Sequence, residues 1–390
     1  MSLTWLAQWL LQPVAKRFNL LDHPKGRKDH AAPTPVTGGL AMGLGVLVAC
    51  LAFLPDIGDG FHGFLGAAGI ILFVGLLDDL YDLRWQWRIL AQVVAALVMV
   101  YVGGVRIEHI GPVFGLETGT LGWISVPFTV FATVGLINAI NMVDGIDGLA
   151  GSLVWCALLM LGAAALYAGN GIIADRMMIL MGAVAAFLAF NMRLPWRKRA
   201  ALFMGNAGSA FLGLVIAWFA FRLTQNPGHP VSPILALWLV PVPVIDTLVV
   251  MLRRMRGKRS PFYADRNHVH HLMIDAGCSP TRVVLVLGLF SLACGFTAAL
   301  VMRSDLPQFL LLCAFVAMGL VWYAITAMRE RAIALLACLA SPRPSEGAAA
   351  VGLSPTAVQA AHAADDHAHA ADETDIAVAQ IVLEPAAEKR

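Results

Sequence analysis

The stretch Asn138-Ala-Ile-Asn141-Met-Val-Asp144-Gly-Ile-Asp147-Gly148 interrupts two long apolar runs, residues 123–140 before it and 149–168 after it. Runs of that length read as membrane-spanning helices, because in lipid every backbone polar group must be paired within its own segment. Asn141, Asp144 and Asp147 recur every third residue, a spacing that sets their side chains on one face of a helical turn. Gly145 and Gly148 let the backbone bend or a ligand approach closely. A solvated turn would also use Asp and Gly. Ionisable groups at the mouth of a membrane helix are expensive, however, and point to a functional site.

The rest of the chain agrees with that reading. Of its 390 residues 59% are hydrophobic and 13% charged, and the mean hydropathy is +0.74, which excludes an ordinary soluble domain. Apolar windows fall at 3–20, 37–55, 63–77, 89–103, 123–140, 149–168, 174–191, 205–222, 233–252, 281–302 and 307–327. These predict an all-α polytopic membrane protein of about eleven transmembrane helices. The first run lacks a cationic stretch before it and a small-residue cleavage site after it, so it reads as a retained span. Glycines 38, 39, 43 and 45 in the second window suit close helix packing. The Gly-rich stretch 105–124 suits a short hairpin.

The net charge of +2 averages clustered basic loops against an acidic tail, so position matters more than the sum. Lys16, Arg17, Lys25, Arg27 and Lys28 share one loop, and Arg84 and Arg88 lie in the next alternate one. Arg193, Arg197, Lys198 and Arg199 follow, then Arg253, Arg254, Arg256, Lys258, Arg259 and Arg266. Positive charge collects on the cytoplasmic side, which puts the N-terminus outside, the C-terminus in the cytoplasm and the polar motifs on the cytoplasmic face. The loops near Asp56/Asp59, Glu108/Glu117, Asn226–Pro230 and Arg303/Asp305 carry few cations and face outward. Residues 1–330 form the membrane-embedded domain, and 331–390 a cytoplasmic tail expected to be largely disordered from about 341. His362, His367 and His369 there read as solvated. The six cysteines have no metal-like spacing and suggest no disulfide framework.

Three further polar motifs share the cytoplasmic side. Asp78-Asp79 ends the third window. Adjacent carboxylates repel, which suits either proton acceptance or a cation held between them, and Asp82 lies one helical turn beyond Asp78. Phe203-Met-Gly-Asn206-Ala-Gly-Ser209 opens the eighth window; helix N-terminal N–H groups there can receive phosphate oxygens, but taken alone the stretch reads first as a glycine-rich helix start. Ser260-Pro-Phe…Asp265-Arg266…His268-Val-His270-His271 combines cations and imidazoles able to clamp a diphosphate. A histidine metal site is the alternative, although no HExxH or paired Cys completes one. Mg²⁺ prefers oxygen ligands and bridges carboxylates to phosphates, which joins the motifs into phosphoryl transfer at the membrane surface.

In this order the four motifs resemble the polyprenyl-phosphate N-acetylhexosamine-1-phosphate transferase family over roughly residues 1–330. The His-x-His-His form is similar to the bacterial branch that uses undecaprenyl phosphate and UDP-N-acetylglucosamine to start O-antigen or other cell-envelope polysaccharides. The resemblance implies attack of undecaprenyl phosphate on a UDP-2-acetamido sugar, release of UMP, and Mg²⁺ (or Mn²⁺) as cofactor. It also implies a multi-pass protein of the bacterial inner membrane, in contact with the lipid bilayer, with a homodimer as the family precedent and no nucleic-acid partner. It casts Asp78, Asp79 and Asp144 as catalytic, Asp147, Asn141 and Asn206 as metal ligands, and His268, His270, His271, Arg266, Phe203 and Asn191 as substrate-binding. One residue departs from the family pattern: Asn206 stands where the motif has aspartate. Asn supplies an oxygen but no charge, so a catalytically silent member is one alternative reading and a membrane transporter another.

Overall fold

A computed structural model describes residues 1–22, 33–54, 60–111, 119–225, 231–261, 265–304 and 306–340. Among them lie helices α1 (Ser2–Arg17), α2 (Gly38–Phe53), α3 (Phe61–Tyr81), α4 (Trp85–Tyr101), α5 (Ser125–Val143), α6 (Leu149–Tyr167) and α7 (Gly171–Asn191). They continue as α8 (Gly205–Thr224), α9 (Pro233–Leu237), α10 (Pro241–Arg256), α11 (Val269–Asp275), α12 (Pro280–Met302), α13 (Gln308–Thr326) and α14 (Arg329–Leu336). The two short strands Leu21–Asp22 and Thr34–Pro35 pair antiparallel between α1 and α2. Among the described residues seven helices are long and apolar enough to cross a membrane, and α2 and α4 are shorter apolar helices. The chain is an all-α, multi-pass membrane protein. Lys25, Arg27, Lys28, Asp56, Asp59, Glu117, Asn226–Pro230, Asp305 and the tail from 341 lie outside the described residues.

Every apolar window predicted from sequence contains helix, but the 233–252 window is two helices rather than one. The chain breaks between α9 and α10 because Pro241 and Pro243 cannot donate to a preceding turn and their rings clash with it. Pro241 is instead the first residue of α10, where its fixed φ fits. The short hairpin expected over 105–124 is present at its base: Leu121 N–H donates to Glu108 O (2.8 Å) and Ile110 N–H to Gly119 O (3.2 Å).

The centre of the bundle is α8, whose apolar residues run all round the helix and are nearly all buried, with Arg222 of its last turn exposed. Phe64 of α3 packs against Phe211, Trp218 and Phe219 of α8, with ring centroids 5.5–6.5 Å apart. Small residues let neighbouring backbones reach it. A Cβ on Gly39 of α2 would strike the Gly208 backbone, and one on Gly75 of α3 the Ala207 backbone. The glycines of the second window therefore serve packing. This arrangement gathers the C-terminal ends of α3, α5 and α7 around the N-terminal end of α8. Tyr81 at the end of α3, Trp85 and Trp87 at the start of α4, and Trp196 after α7 are exposed, a placement that suits amphipathic aromatics at a membrane–water boundary.

Gly39→Leu is expected to lower stability by about 1–3 kcal/mol through overpacking, read as a lower thermal midpoint of the detergent-purified protein.

Candidate active site

The polar groups at the α8 end are organised by Asp79. Its Oδ1 accepts from the N–H of Asn206 (2.7 Å) and its Oδ2 from that of Ala207 (3.2 Å). The carboxylate thus fills the glycine-rich start of α8, meeting the positive end of the α8 dipole. Gly205, at φ 74°, permits the approach: a Cβ there would lie 2.5 Å from Asp79 Oδ2. The neighbouring Asp78 is buried. Its Oδ1 accepts from Leu83 N–H (3.0 Å), whereas its Oδ2 accepts no hydrogen bond and faces the Arg88 Nε at 3.5 Å. Asp82 lies beyond the helix end in a left-handed conformation and is exposed, so it does not share the Asp78 face.

Asn141 donates through Nδ2 to Asn206 Oδ1 (3.2 Å) and Ser209 Oγ (2.8 Å), joining α5 to α8. One cavity is lined by Asp78, Arg88, Gln92, Asn141 and Asn206, with Ile71, Val74 and Ala91 as apolar wall. Gln92 is held there by accepting a hydrogen bond from Asn138 Nδ2 (2.7 Å). The expected single helical face of Asn141, Asp144 and Asp147 does not form. α5 ends at Val143, and the chain turns through Asp144–Gly148 with Gly148 at φ 83°. Burial, and then repulsion from Asp79 and Asp147, push the Asp144 carboxyl up to about 7. Asp147 turns toward a different partner: its Oδ2 accepts from Arg193 Nε (2.8 Å) and Ala200 N–H (3.2 Å). Asn191 clamps this turn from α7. Its Oδ1 accepts from Gly148 N–H (2.7 Å) and its Nδ2 donates to Leu202 O (2.9 Å).

The histidine motif arrives from the other side of the same turn. A Cβ on Gly145 would lie 2.7 Å from His270 Nε2 and 3.5 Å from His271 Nε2, so residues about 125 positions apart face each other here. His270 is 1% exposed and neither ring nitrogen has a hydrogen-bond partner. Burial, and then the positive charge of Arg266, hold the His271 imidazole down at about 4, and burial lowers His270 as well. Arg266 faces Asp275 at 3.7 Å. Phe203 is half-buried, and its backbone joins Pro35 and Gly38.

Three contributors escaped the motif reading. Arg193 pairs with Asp147. Arg254, nearly buried, holds Asp265 through Nη2 (2.9 Å) and Nε (3.3 Å) and so shapes the histidine loop. Asp246 accepts from the histidine segment itself. Its only signal in the sequence was a lone carboxylate inside the 233–252 apolar window.

Two outcomes are expected. Asn191→Ala leaves Gly148 N–H and Leu202 O unpaired in a buried setting, at about 1–3 kcal/mol for each, which a thermal-shift assay reads. Because the folded His271 binds its proton more weakly than the unfolded chain does, its contribution to stability is complete above about 6.5 and is lost as pH falls toward 4. His271→Gln should flatten that part of the pH–stability profile.

The family model for glycosyl transferase family 4 matches residues 61–224, the span from α3 to α8 that holds both carboxylate motifs and Asn206. The chain is 34% identical over 285 residues to the undecaprenyl-phosphate alpha-N-acetylglucosaminyl 1-phosphate transferase of Haemophilus influenzae, covering 73% of this chain and 80% of that one. It is 33% identical over 310 residues to the enzyme of the same name from Escherichia coli K12 (78% and 82% covered). For the Yersinia pestis enzyme the identity is 32% over 308 residues (79% and 84% covered). With these relatives matched across most of their length, and the four motifs gathered at one end of the bundle, the chain belongs to the polyprenyl-phosphate N-acetylhexosamine-1-phosphate transferases of glycosyl transferase family 4.

Proposed function

We propose that this membrane transferase moves N-acetylglucosamine 1-phosphate, or a related 2-acetamido sugar 1-phosphate, from a UDP-sugar to undecaprenyl phosphate and releases UMP. The lipid-linked sugar diphosphate then initiates O-antigen or another envelope polysaccharide, at the cytoplasmic face of a bacterial inner membrane. The observation that carries this reading is the buried Asp78 Oδ2, which faces Arg88 but accepts no hydrogen bond, in a cavity shared with Asn141 and Asn206. The names of the relatives supply the acceptor lipid and the sugar.

In this reading Asp78 orients the lipid phosphate or takes its proton, with Arg88 beside it to offset negative charge. Asp79 works indirectly, holding the start of α8 so that Asn206 faces Asn141. The histidine segment and Arg266 meet the nucleoside diphosphate across Gly145, and Phe203 stacks on the uracil. Asn191 acts by positioning the 144–148 turn, since both ends of its amide are engaged by backbone.

The donor set fits Mg²⁺. Its groups are carboxylate and carboxamide oxygens. Among the described residues no three His, Cys, Asp or Glu side chains converge, so carboxamide oxygens and substrate phosphates would have to complete the ligand set. Asn141 and Asn206, which meet at 3.2 Å, would hold the ion, with Asp147 as the further ligand the motif implies although Arg193 and Ala200 engage its Oδ2. Bound there, Mg²⁺ or Mn²⁺ supplies charge neutralisation for the phosphates. Asn206 provides an oxygen without charge, so the site should bind the ion more weakly than one with aspartate.

The test is UMP release by purified protein with undecaprenyl phosphate, UDP-N-acetylglucosamine and a Mg²⁺ titration, beside Asn206→Asp. Turnover is expected in both, with the half-saturating Mg²⁺ concentration about tenfold lower in the variant. Turnover in Asn206→Asp alone would mean a site silenced at its metal. Failure of both with every UDP-2-acetamido sugar would refute the reading.

A further inference from the structure

Asp246 of α10 is 1% exposed and lies outside all four motifs, yet it makes three hydrogen bonds to the machinery around it. Its Oδ1 accepts from the backbone N–H of Val269 (3.0 Å) and from the indole Nε1–H of Trp322 in α13 (3.1 Å). Its Oδ2 lies 2.7 Å from Nδ1 of His268. Three separate helices therefore meet on one carboxylate at the start of α11.

The chemistry of these partners assigns the protons. Val269 N–H and Trp322 Nε1–H can only donate, so Oδ1 must accept. As a carboxylate, Oδ2 accepts too, and the His268 Nδ1 is then the donor. That leaves Nε2, on the far side of the ring, for a substrate. The ring is stacked 5.6 Å from that of His270, nearly parallel at 17°. Of the three motif histidines, His268 is the one with a carboxylate on its ring: His270 has no partner at either nitrogen, and His271 is flanked by Arg266.

We propose that Asp246 is a positioning residue for the transfer reaction. It fixes the ring plane and the Nδ1–H tautomer of His268, so that the protonated ring sits between two acceptors, the Asp246 carboxylate and a phosphate oxygen of the nucleoside diphosphate. A carboxylate behind an imidazole sets tautomer and orientation and stabilises the imidazolium that forms. This inference rests on the transferase reading above and adds to it the residue that orients one histidine of the motif.

Asp246→Asn inverts the pattern while keeping the shape. The two obligate donors hold the amide oxygen in the Oδ1 place, so the NH₂ takes the Oδ2 place and donates to Nδ1. The ring proton is then forced to Nε2, and the imidazolium has no acceptor behind it. The experiment uses the full chain, either unaltered or carrying Asn206→Asp, whichever releases UMP, with ¹⁵N-histidine labelling and steady-state kinetics. This parent is expected to show His268 protonated at Nδ1, and Asp246→Asn to show the proton at Nε2. In Asp246→Asn, kcat should fall about 10²-fold with KM for the UDP-sugar changed less than about threefold. In a His268→Ala background the same substitution should add less than about threefold, because Asp246 acts through that ring. Asp246→Glu, which keeps a carboxylate, should retain the Nδ1 proton and at least about tenfold more activity than Asp246→Asn, and it carries the test should the amide variant fail to fold.

A neutral His268 ring carrying its single proton on Nε2 in the substrate-free parent would overturn the inference. So would an Asp246→Asn enzyme within about threefold of the parent, or an undiminished effect in the His268→Ala background. No UMP release by the unaltered chain or by Asn206→Asp would instead remove the transferase reading, and the inference with it. Parent activity, measured first, separates the two failures.

Discussion

The site depends on one carboxylate meeting one helix end. Asp79 accepts from two of the free N–H groups that open α8, and α8 is the most enclosed of the membrane-length helices. Those N–H groups have no partner within their own helix, and leaving them unpaired at a buried end would be costly. Because Asp79 also lies in the last turn of α3, the contact sets the height at which α3 stops against α8. That height decides where the adjacent Asp78 points and which side of Asn206 faces α5. The small residues Gly39, Gly75 and Gly205 are what allow backbones to come near enough for this contact.

From that anchor the remaining polar groups follow as a chain of hydrogen bonds between helix ends. Asn141 connects α5 to Asn206 and Ser209, Asn191 connects α7 to the 144–148 turn, and Asp147 connects that turn to Arg193. Each bond satisfies a group that lipid could not satisfy. The same bonds that complete the fold therefore assemble the site, and separating stability from activity will require substitutions that keep the shape and polarity of the side chain, as Asn206→Asp and Asp246→Asn do.

The two sides of the site differ in electrostatic character. On one side buried carboxyls crowd together, and Asp144 is pushed up to about 7 by burial and by its acidic neighbours. On the other, burial and Arg266 keep His271 neutral down to about 4. Both sides thus ionise less readily than they would in water.

By itself the sequence determined the all-α membrane architecture, since eleven apolar windows set off by basic loops and polar motifs leave helices as the only satisfied backbone. It also determined which residues form the polar clusters, because carboxylates, carboxamides and histidines at the ends of such windows are too costly to keep there without a task. Local spacing stopped there. It put Asn141, Asp144 and Asp147 on one helical face, where the structure ends the helix and sends Asp147 to Arg193. It ran a single helix through Pro241, although the proline ring ends one helix and opens the next. It showed the α8 N-terminus as a glycine-rich helix start without showing that Asp79 fills it, and it passed over Asp246 altogether. Only the tertiary structure decided the partners of Asp79, Asp147 and Asp246, because each pairs with groups between 22 and 128 residues away in the chain. Such partners are chosen by how the helices pack rather than by any period along the chain.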